Sequence, residues 1–190
     1  MRFLKSIGVV AVYFGILLAT LFVVGLQDNL PGLERYQCQE GHFSVLLPGQ
    51  PEQRQQGKVK ALRFKNPFAV VSAGTKKSRF GVVVYPIETE VESRLLKMGW
   101  KGKDRSEWDI YMATGELGVP GGEIAEEKDL TYQGFAAKEY LMELLKRKVV
   151  RVRVISTPER RYYMVVWSKS KSILNTKAAE FFDSLEIEVK

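Results

Sequence analysis

The sequence contains a single cysteine, Cys38, and a single histidine, His42, among its 190 residues. One cysteine excludes both an intramolecular disulfide framework and a cysteine-rich metal site. Catalysis of the Ser-His-Asp type would have to use His42, and no Gly-x-Ser-x-Gly motif presents a serine nucleophile. The sequence therefore predicts a protein that is not an enzyme and has no cofactor.

The two rare residues lie close together, with Glu40 between them. On an extended strand, Cys38, Glu40 and His42 would share one face, and their thiolate, carboxylate and imidazole groups could hold a soft metal ion. A structural zinc site takes four ligands, and this segment offers no fourth. An ordinary strand edge is the preferred interpretation, and no metal site is predicted.

Charged residues are absent from residues 6–26, a run of mainly aliphatic and aromatic side chains. At about 1.5 Å rise per residue, a helix of this length crosses a hydrocarbon core about 30 Å thick. Residues 1–26 are therefore predicted to form an uncleaved transmembrane signal anchor. The alternative is a cleaved signal peptide, whose apolar region normally spans only about 7–15 residues.

The charges that flank this run indicate its orientation. Arg2 and Lys5 precede it, whereas Asp28, Glu34 and Arg35 follow it. The positive-inside rule places the N-terminus in the cytoplasm and the domain in the periplasm or the thylakoid lumen. Residues 27–35 are predicted to be a linker that reaches about 30 Å when extended. The domain over residues 36–190 should therefore lie beside a cell inner membrane or a thylakoid membrane, in contact with its lipids.

The formal net charge of +7 predicts a mildly basic surface. Such a surface suits acidic protein subunits or anionic lipid headgroups. The alternative is a surface that charge merely keeps soluble. The basic residues form local clusters, which include Lys76, Lys77 and Arg79, then Lys146, Arg147 and Lys148, and then Arg160 and Arg161.

Two kinds of periodicity alternate along the domain. Strands are predicted over residues 43–47, 58–64, 68–75 and 80–85, and helical spacing follows over residues 91–115. Four further strands are predicted over residues 123–132, 135–145, 149–157 and 161–168, and a last helix runs from Asn175 or Thr176 towards Leu185. This order predicts an α+β fold, an α-β-α sandwich around an antiparallel sheet with helices on both faces.

The hairpin that contains the basic residues 146–148 makes the sheet prediction specific. If these three residues form the turn, Met142 pairs with Val152. Val152 is then buried, while Arg153 points to the opposite face. We therefore expect Val152→Asp to destabilise the fold by several kcal/mol and Arg153→Ala to cost far less.

Several stretches resemble the PsbP-like domains of bacterial and plastid exported proteins. They are FSVLLPGQP at residues 43–51, YQGFAAKE at residues 132–139, and the segments 151–157, 161–165 and 179–185. The resemblance covers essentially residues 36–188. It implies an α-β-α sandwich and a role as an extrinsic or assembly subunit of a membrane complex, notably in photosynthesis. A membrane-spanning N-terminus departs from the soluble plastid members.

Two functions of different classes follow from the sequence. The first is a membrane-anchored accessory or assembly subunit of a larger integral membrane complex, because small residues let transmembrane helices pack closely. The alternative is an extracytoplasmic module that binds a small ligand or lipid in a pocket between sheet and helices. Nucleic acid is not a predicted partner, since Tyr163 and Trp167 are expected to point inward. The candidate partner-binding residues are Gly8, Gly15, Lys146, Arg147, Lys148, Arg160 and Arg161.

Overall fold

The structure, a computed structural model, describes residues 30–53, 69–87, 105–119, 122–144, 148–169 and 171–188. These ranges contain ten strands and two helices. In chain order they are β1 (Leu33–Cys38), β2 (Phe43–Pro48), β3 (Glu52–Gln53), β4 (Ala69–Gly74), β5 (Ser78–Pro86), α1 (Arg105–Gly115), β6 (Glu123–Tyr132), β7 (Phe135–Leu144), β8 (Lys148–Ser156), β9 (Arg160–Ser168), α2 (Lys171–Asp183) and β10 (Glu186–Ile187).

The strands form two antiparallel sheets. The large sheet has the order β3-β4-β5-β9-β8-β7-β6, and the small sheet has the order β1-β2-β10. Most neighbours in the large sheet are joined by short turns, so chain order and spatial order largely agree. The β6–β7 turn is the tightest of these, because Gln133 and Gly134 both have positive φ, at 50° and 83°. Two successive positive φ values define the type I′ turn, whose twist suits a two-residue hairpin.

The large sheet buries apolar side chains on both of its faces. On one face, Val152 and Val165 contact Ile110 and Ala113 of α1. On the other face lie α2 and the small sheet, and the Phe80 and Phe181 rings meet edge to face at 5.4 Å. The alternation of β8 and β9 produces this arrangement, because successive apolar residues point to opposite faces and each face has its own cover.

The predicted α-β-α sandwich is wrong, because the described residues are mainly strand. A helix does lie on each face of the large sheet, but α2 shares its face with the three-stranded sheet of β1, β2 and β10. Two of those strands have weak sequence signals, since β10 has two residues and β1 has a single fully buried one, Cys38. The small sheet was therefore not predicted.

The transmembrane helix that was part of the predicted fold class is not found. Within the described ranges, no helix combines the length and the apolar character needed to cross a membrane. The residues of the predicted anchor, 1–26, lie outside those ranges, as do the predicted strand 58–64 and the first part of the predicted helical region.

The β7–β8 register and the start of the last helix differ from the sequence prediction. Met142 pairs with Val150 instead of Val152, and the last pair of this ladder joins Leu144 with Lys148. The resulting register shift is two residues, so every side chain keeps its predicted face. The last helix begins at Lys171, before the predicted start at Asn175, and ends at Asp183.

Candidate functional site

The two basic turns predicted to contact a partner lie at opposite ends of β8. Lys148 begins this strand beside Leu144, and Ser156 ends it beside Arg161 of β9. At about 3.3 Å per residue, the strand separates its two ends by about 26 Å. Four of the candidate residues lie outside the described ranges; they are Gly8, Gly15, Lys146 and Arg147.

The Lys148 end of the sheet brings together lysines from three segments of the chain. The β4–β5 turn carries Lys76 and Lys77, Lys169 directly follows β9, and Lys148 begins β8. The backbone N–H of Lys169 donates to the Lys77 carbonyl over 3.1 Å, so these two segments are in direct contact. Lys76, Lys77 and Lys169 are exposed. We refer to Lys76, Lys77, Lys148 and Lys169 as the lysine end.

Hydrogen bonds fix the backbone of the turn that carries Lys76 and Lys77. The Thr75 hydroxyl accepts from the N–H of Lys77 at 3.1 Å and of Ser78 at 3.2 Å, while the Thr75 N–H donates to the Ser78 carbonyl at 2.7 Å. Gly74 permits the approach, since it has φ +143° and a Cβ there would lie 2.2 Å from the Ser78 oxygen. The two lysines are therefore displayed from a well-defined backbone.

The lysine end could not be identified from sequence spacing alone. Lys77 and Lys169 are far apart in the chain, and only the pairing of β5 with β9 makes them neighbours. That pairing places Ser78 opposite Ser168, and the two buried hydroxyl groups share a hydrogen bond of 2.7 Å. The basic clusters at residues 76–79 and 146–148 were visible in the sequence, but Lys169 had no signal of its own.

Arg160 and Arg161, at the other end of β8, contact the rest of the fold. Arg160 Nη1 donates to the Glu40 carbonyl at 3.0 Å, which joins the β8–β9 turn to the β1–β2 turn. The Arg161 side chain is 12% exposed, and its Nη1 lies 3.6 Å from Asp109 Oδ1 of α1. The structure therefore gives both guanidinium groups contacts that hold elements together.

Asp109 is a buried carboxylate that ties α1 to the large sheet. Besides Arg161, its oxygens face the hydroxyl groups of Tyr140 and Tyr163, each at 3.4 Å. Burial raises the pKa of Tyr140 to about 12, with the Asp109 charge acting in the same direction. Burial and the Asp109 charge also raise the pKa of Tyr163. Both tyrosines are thus hydrogen-bond donors at neutral pH.

The segment from Cys38 to His42, for which no metal site was predicted, ends β1 at Cys38 and continues as a turn. His42 has φ 55°, and its N–H donates to the Gln39 carbonyl at 3.3 Å. Cys38 is 1% exposed, and burial raises the pKa of its thiol. Nowhere in the described part of the chain do three or more His, Cys, Asp or Glu side chains form a group that could hold a metal ion.

A small cleft lies at the Arg160 end of the sheet. Its volume is about 130 Å³, and its lining includes His42, Phe135, Arg160, Tyr162, Ile187 and Glu188. Small-molecule sites usually measure about 300–1,000 Å³. This cleft lies among turns and strand ends. The ligand-binding alternative would place its pocket between the sheet and the helices. The cleft gives that alternative no support.

A buried ionic network joins α2 to the large sheet. Arg153 is 8% exposed and donates to Glu139 Oε2 from Nε at 3.1 Å and from Nη2 at 2.9 Å, and to Asp183 Oδ1 from Nη1 at 3.0 Å. Arg151 also pairs with Glu139, and both guanidinium groups lie over the Phe182 ring. The network is structural, so Arg153→Ala should cost more than the sequence alone suggests, and its comparison with Val152→Asp stays a prediction.

The architecture is similar to that of a solved PsbP protein. The solution structure of cyanobacterial PsbP (CyanoP) from Synechocystis sp. PCC 6803 matches this chain with a TM-score of 0.53. The match covers 84% of this chain and 94% of that one, at 10% sequence identity. At this identity, the likeness shows the fold alone.

Two other solved structures are less similar. A Bacteroides thetaiotaomicron protein matches with a TM-score of 0.45 and 8% identity over 83% of this chain and 49% of its own. A Pseudomonas aeruginosa protein of unknown function, PA94, matches with a TM-score of 0.35 and 12% identity over 78% of this chain and 90% of its own. No protein-family model matches the chain, and no curated protein matches it in sequence.

Proposed function

We propose that the protein is a membrane-anchored accessory or assembly subunit of a larger integral membrane complex and that it acts by protein–protein association. The observation that supports this function is the lysine end. There, separate segments meet at one end of the strands, and Lys76, Lys77 and Lys169 are exposed to solvent. An acidic patch on a partner subunit would bind this surface.

Several lysines on a fixed backbone suit docking better than scattered surface charge does. An isolated exposed ion pair contributes only about 0–1 kcal/mol, so one lysine would not hold a partner. Grouped charges add their fields, steer the encounter and fix the relative orientation of two proteins. Such docking weakens as ionic strength rises, because the Debye length at 0.15 M salt is about 8 Å.

The proposed anchor keeps the domain close to the bilayer. Because β1 begins at Leu33, only residues 27–32 would separate the predicted span from the folded domain. Six extended residues reach about 20 Å. An integral subunit in the same membrane is therefore within reach, with the domain on the periplasmic or lumenal side. Since the solved structure of the same fold is a cyanobacterial PsbP, a photosynthetic complex is the first to test.

A pair of matched charge variants tests this function. We expect the triple change Lys76→Glu, Lys77→Glu and Lys169→Glu to reduce recovery of a co-purifying membrane complex at least tenfold in mild detergent. The control is the triple change Arg35→Glu, Lys177→Glu and Lys190→Glu, which alters net charge equally at other positions in the sequence. Quantitative mass spectrometry of the co-purified proteins, at low and high salt, gives the readout.

Two outcomes would contradict the function. Equal losses in the two triple variants would show that net charge matters and that the lysine end does not. If the lysine-end variant kept its protein partners but lost binding to vesicles that contain anionic lipid, the lysines would face headgroups and not a subunit.

A further inference from the structure

β6 forms an open edge of the large sheet. In the described chain it pairs on one side only, with β7. The seven consecutive residues 123–129 are all exposed. Side chains alternate between the two faces of a strand, so exposure of seven successive residues leaves both faces of this half of β6 accessible to solvent. On one face α1 reaches the strand, because the Ser106 hydroxyl donates to Glu127 Oε2 at 2.9 Å.

The β6–β7 turn determines which backbone groups point outward. In a two-residue hairpin, the residues that flank the turn, here Tyr132 and Phe135, form a hydrogen-bonded pair, and such pairs then alternate along the ladder. Glu127, Asp129 and Thr131 are therefore non-hydrogen-bonded positions relative to β7, and their N–H and C=O groups point away from the sheet. These three residues present the donors and acceptors that an added strand needs.

The side chains beside these backbone groups are acidic. Glu127 and Asp129 lie on the same face of β6, and Lys138 of β7 forms ion pairs with both. The Asp129 side chain remains 83% exposed. A strand added outside β6 would place its own side chains directly opposite Glu127 and Asp129, where lysine or arginine would complete a row of alternating charge across three strands.

The same features disfavour pairing between two copies of β6. Antiparallel pairing of two copies centred on Lys128 would place Glu127 of each strand opposite Asp129 of the other, and like charges directly opposite each other are destabilising. A β-bulge between Ile124 and Glu126 also interrupts the regular backbone geometry of this edge strand. Bulges and charged side chains usually protect an edge strand against self-association. The charge on β6 is mainly negative, so this edge can still accept a positively charged strand.

We propose that β6 is a second interaction surface, which binds an extended segment of a partner protein by strand addition, with lysine or arginine at alternate positions of that segment. Main-chain hydrogen bonds to Glu127, Asp129 and Thr131 provide the binding energy, and the alternating cations provide the selectivity. This surface is separate from the lysine end and selects a partner segment of the opposite charge.

A set of synthetic peptides tests the proposal on the full-length chain. The probe is a fluorescent nonapeptide of alternating lysine and valine, and its binding is followed by fluorescence anisotropy and by amide hydrogen exchange. We expect binding that slows exchange at Glu127, Asp129 and Thr131, and at least tenfold weaker binding when glutamate replaces lysine in the peptide. Slowed exchange elsewhere, or equal binding of the glutamate peptide, would overturn the proposal.

Backbone recognition is tested on the peptide itself, which leaves the protein intact. Two peptides carry the same number of backbone N-methyl groups. In one peptide the methyl groups are on lysine residues, and in the other they are on valine residues. Only one edge of the added strand faces β6, so one set should abolish binding and the other should change it less than threefold. Equal effects of the two sets would contradict strand addition.

Protein variants provide a second test. Asp129→Pro removes an outward N–H at an edge position, where proline is tolerated, and Asp129→Lys reverses the charge. Both should weaken the peptide at least tenfold, whereas Glu180→Lys on α2 should not. Unchanged binding by both Asp129 variants, or a peptide-independent dimer that Asp129→Lys disrupts in analytical ultracentrifugation, would overturn the assignment of a basic partner segment. If Asp129→Pro does not fold, Asp129→Lys and the methylated peptides decide.

Discussion

Arg153 shows at the scale of a single residue how a charge becomes essential to the interior. Its guanidinium group lies between Glu139 of β7 and Asp183 of α2, with the rings of Tyr132 and Phe182 within cation–π distance. A charge in this position is tolerated only because its partners satisfy it. Removing the arginine would leave Glu139, which is largely buried, without one of its two guanidinium partners.

We therefore predict that Arg153→Ala lowers the free energy of unfolding by about 3 kcal/mol, the lower range for breaking a buried ion pair. Lys177→Ala, at a more exposed ion pair on α2, should cost less than about 1 kcal/mol. Urea unfolding followed by circular dichroism measures both. A similar, small cost for the two variants would show that Arg153 does not hold α2 to the sheet.

Glu139 makes the same network sensitive to acid. Burial alone would raise the pKa of this carboxyl, but hydrogen bonds and charge from Arg151 and Arg153 hold its pKa below the usual value. A carboxyl with a lowered folded-state pKa stabilises the fold at neutral pH, and this contribution disappears as the pH falls below the unfolded-state value of about 4.3. Wild-type stability should therefore decline below about pH 4.5.

Glu139→Gln isolates that contribution. The variant should be less stable than the wild type at pH 7, and the difference between the two proteins should shrink as the pH falls from about 5 to 3. Thermal melts across this range provide the measurement. A constant difference would mean that Glu139 stabilises through packing and not through its charge.

At the scale of elements, the contact between β5 and the segment after α1 depends on one glycine. A Cβ on Gly81 would lie 2.8 Å from both methyl carbons of Leu117 and 3.1 Å from the Val71 carbonyl oxygen. Leu117 is 4% exposed and belongs to the core beneath α1. The absence of a side chain at Gly81 therefore makes room for Leu117 on the sheet.

We predict that Gly81→Ala destabilises the fold by about 1–3 kcal/mol, the usual cost of overpacking a core. In a Leu117→Ala background the same change should cost at least about 1 kcal/mol less, because the clashing methyl groups are gone. A double-mutant cycle from urea unfolding gives the coupling energy. Strict additivity would place the strain at the Val71 carbonyl and not at Leu117.

Alternating hydrophobicity predicted most of the described strands. β5, β7, β8 and β9 follow this rule closely, since each has an apolar side chain on every second position or on both faces. The rule does not extend to β1 and β10, because strands this exposed or this short have no periodic signal. The predicted β7–β8 register was wrong by two residues, which periodicity cannot resolve because both registers keep the same faces.

The lysine end could be predicted only in part. Basic clusters at Lys76–Lys77 and Lys146–Lys148 were evident, but their proximity depends on β9 lying between β5 and β8. Strand order is a property of the whole sheet and not of any one strand. The length of β8 separates Lys148 from Arg160, which the sequence had placed in one set. The burial of Arg153 was hidden for a related reason, since Glu139 and Asp183 come from different elements.

At the scale of the whole molecule, the proposed location of the domain outside the cytoplasm rests on the charges that flank the predicted anchor. Gly115 is a suitable position for a cysteine that reacts with a thiol reagent. It is exposed, and a Cβ there would meet no atom within 4 Å. Cys38 is 1% exposed and should contribute little background.

We predict that Gly115→Cys in the full-length chain is labelled in intact cells by a maleimide that cannot cross the inner membrane. The wild-type chain, which retains Cys38, serves as the control and should remain unlabelled. Labelling that requires permeabilised cells would reverse the orientation. In a thylakoid preparation the same logic applies with the lumen in place of the periplasm.

The association of the lysine end with an integral membrane subunit is the central claim, and site-specific photocrosslinking in native membranes tests it most directly. A benzophenone amino acid replaces Lys77 in one variant and Glu159, in the turn at the opposite end of the sheet, in another. We predict that position 77 gives an adduct with an integral membrane protein, that high salt reduces its yield, and that position 159 gives none. Adducts of equal yield from both positions, or an adduct from position 159 alone, would contradict the account.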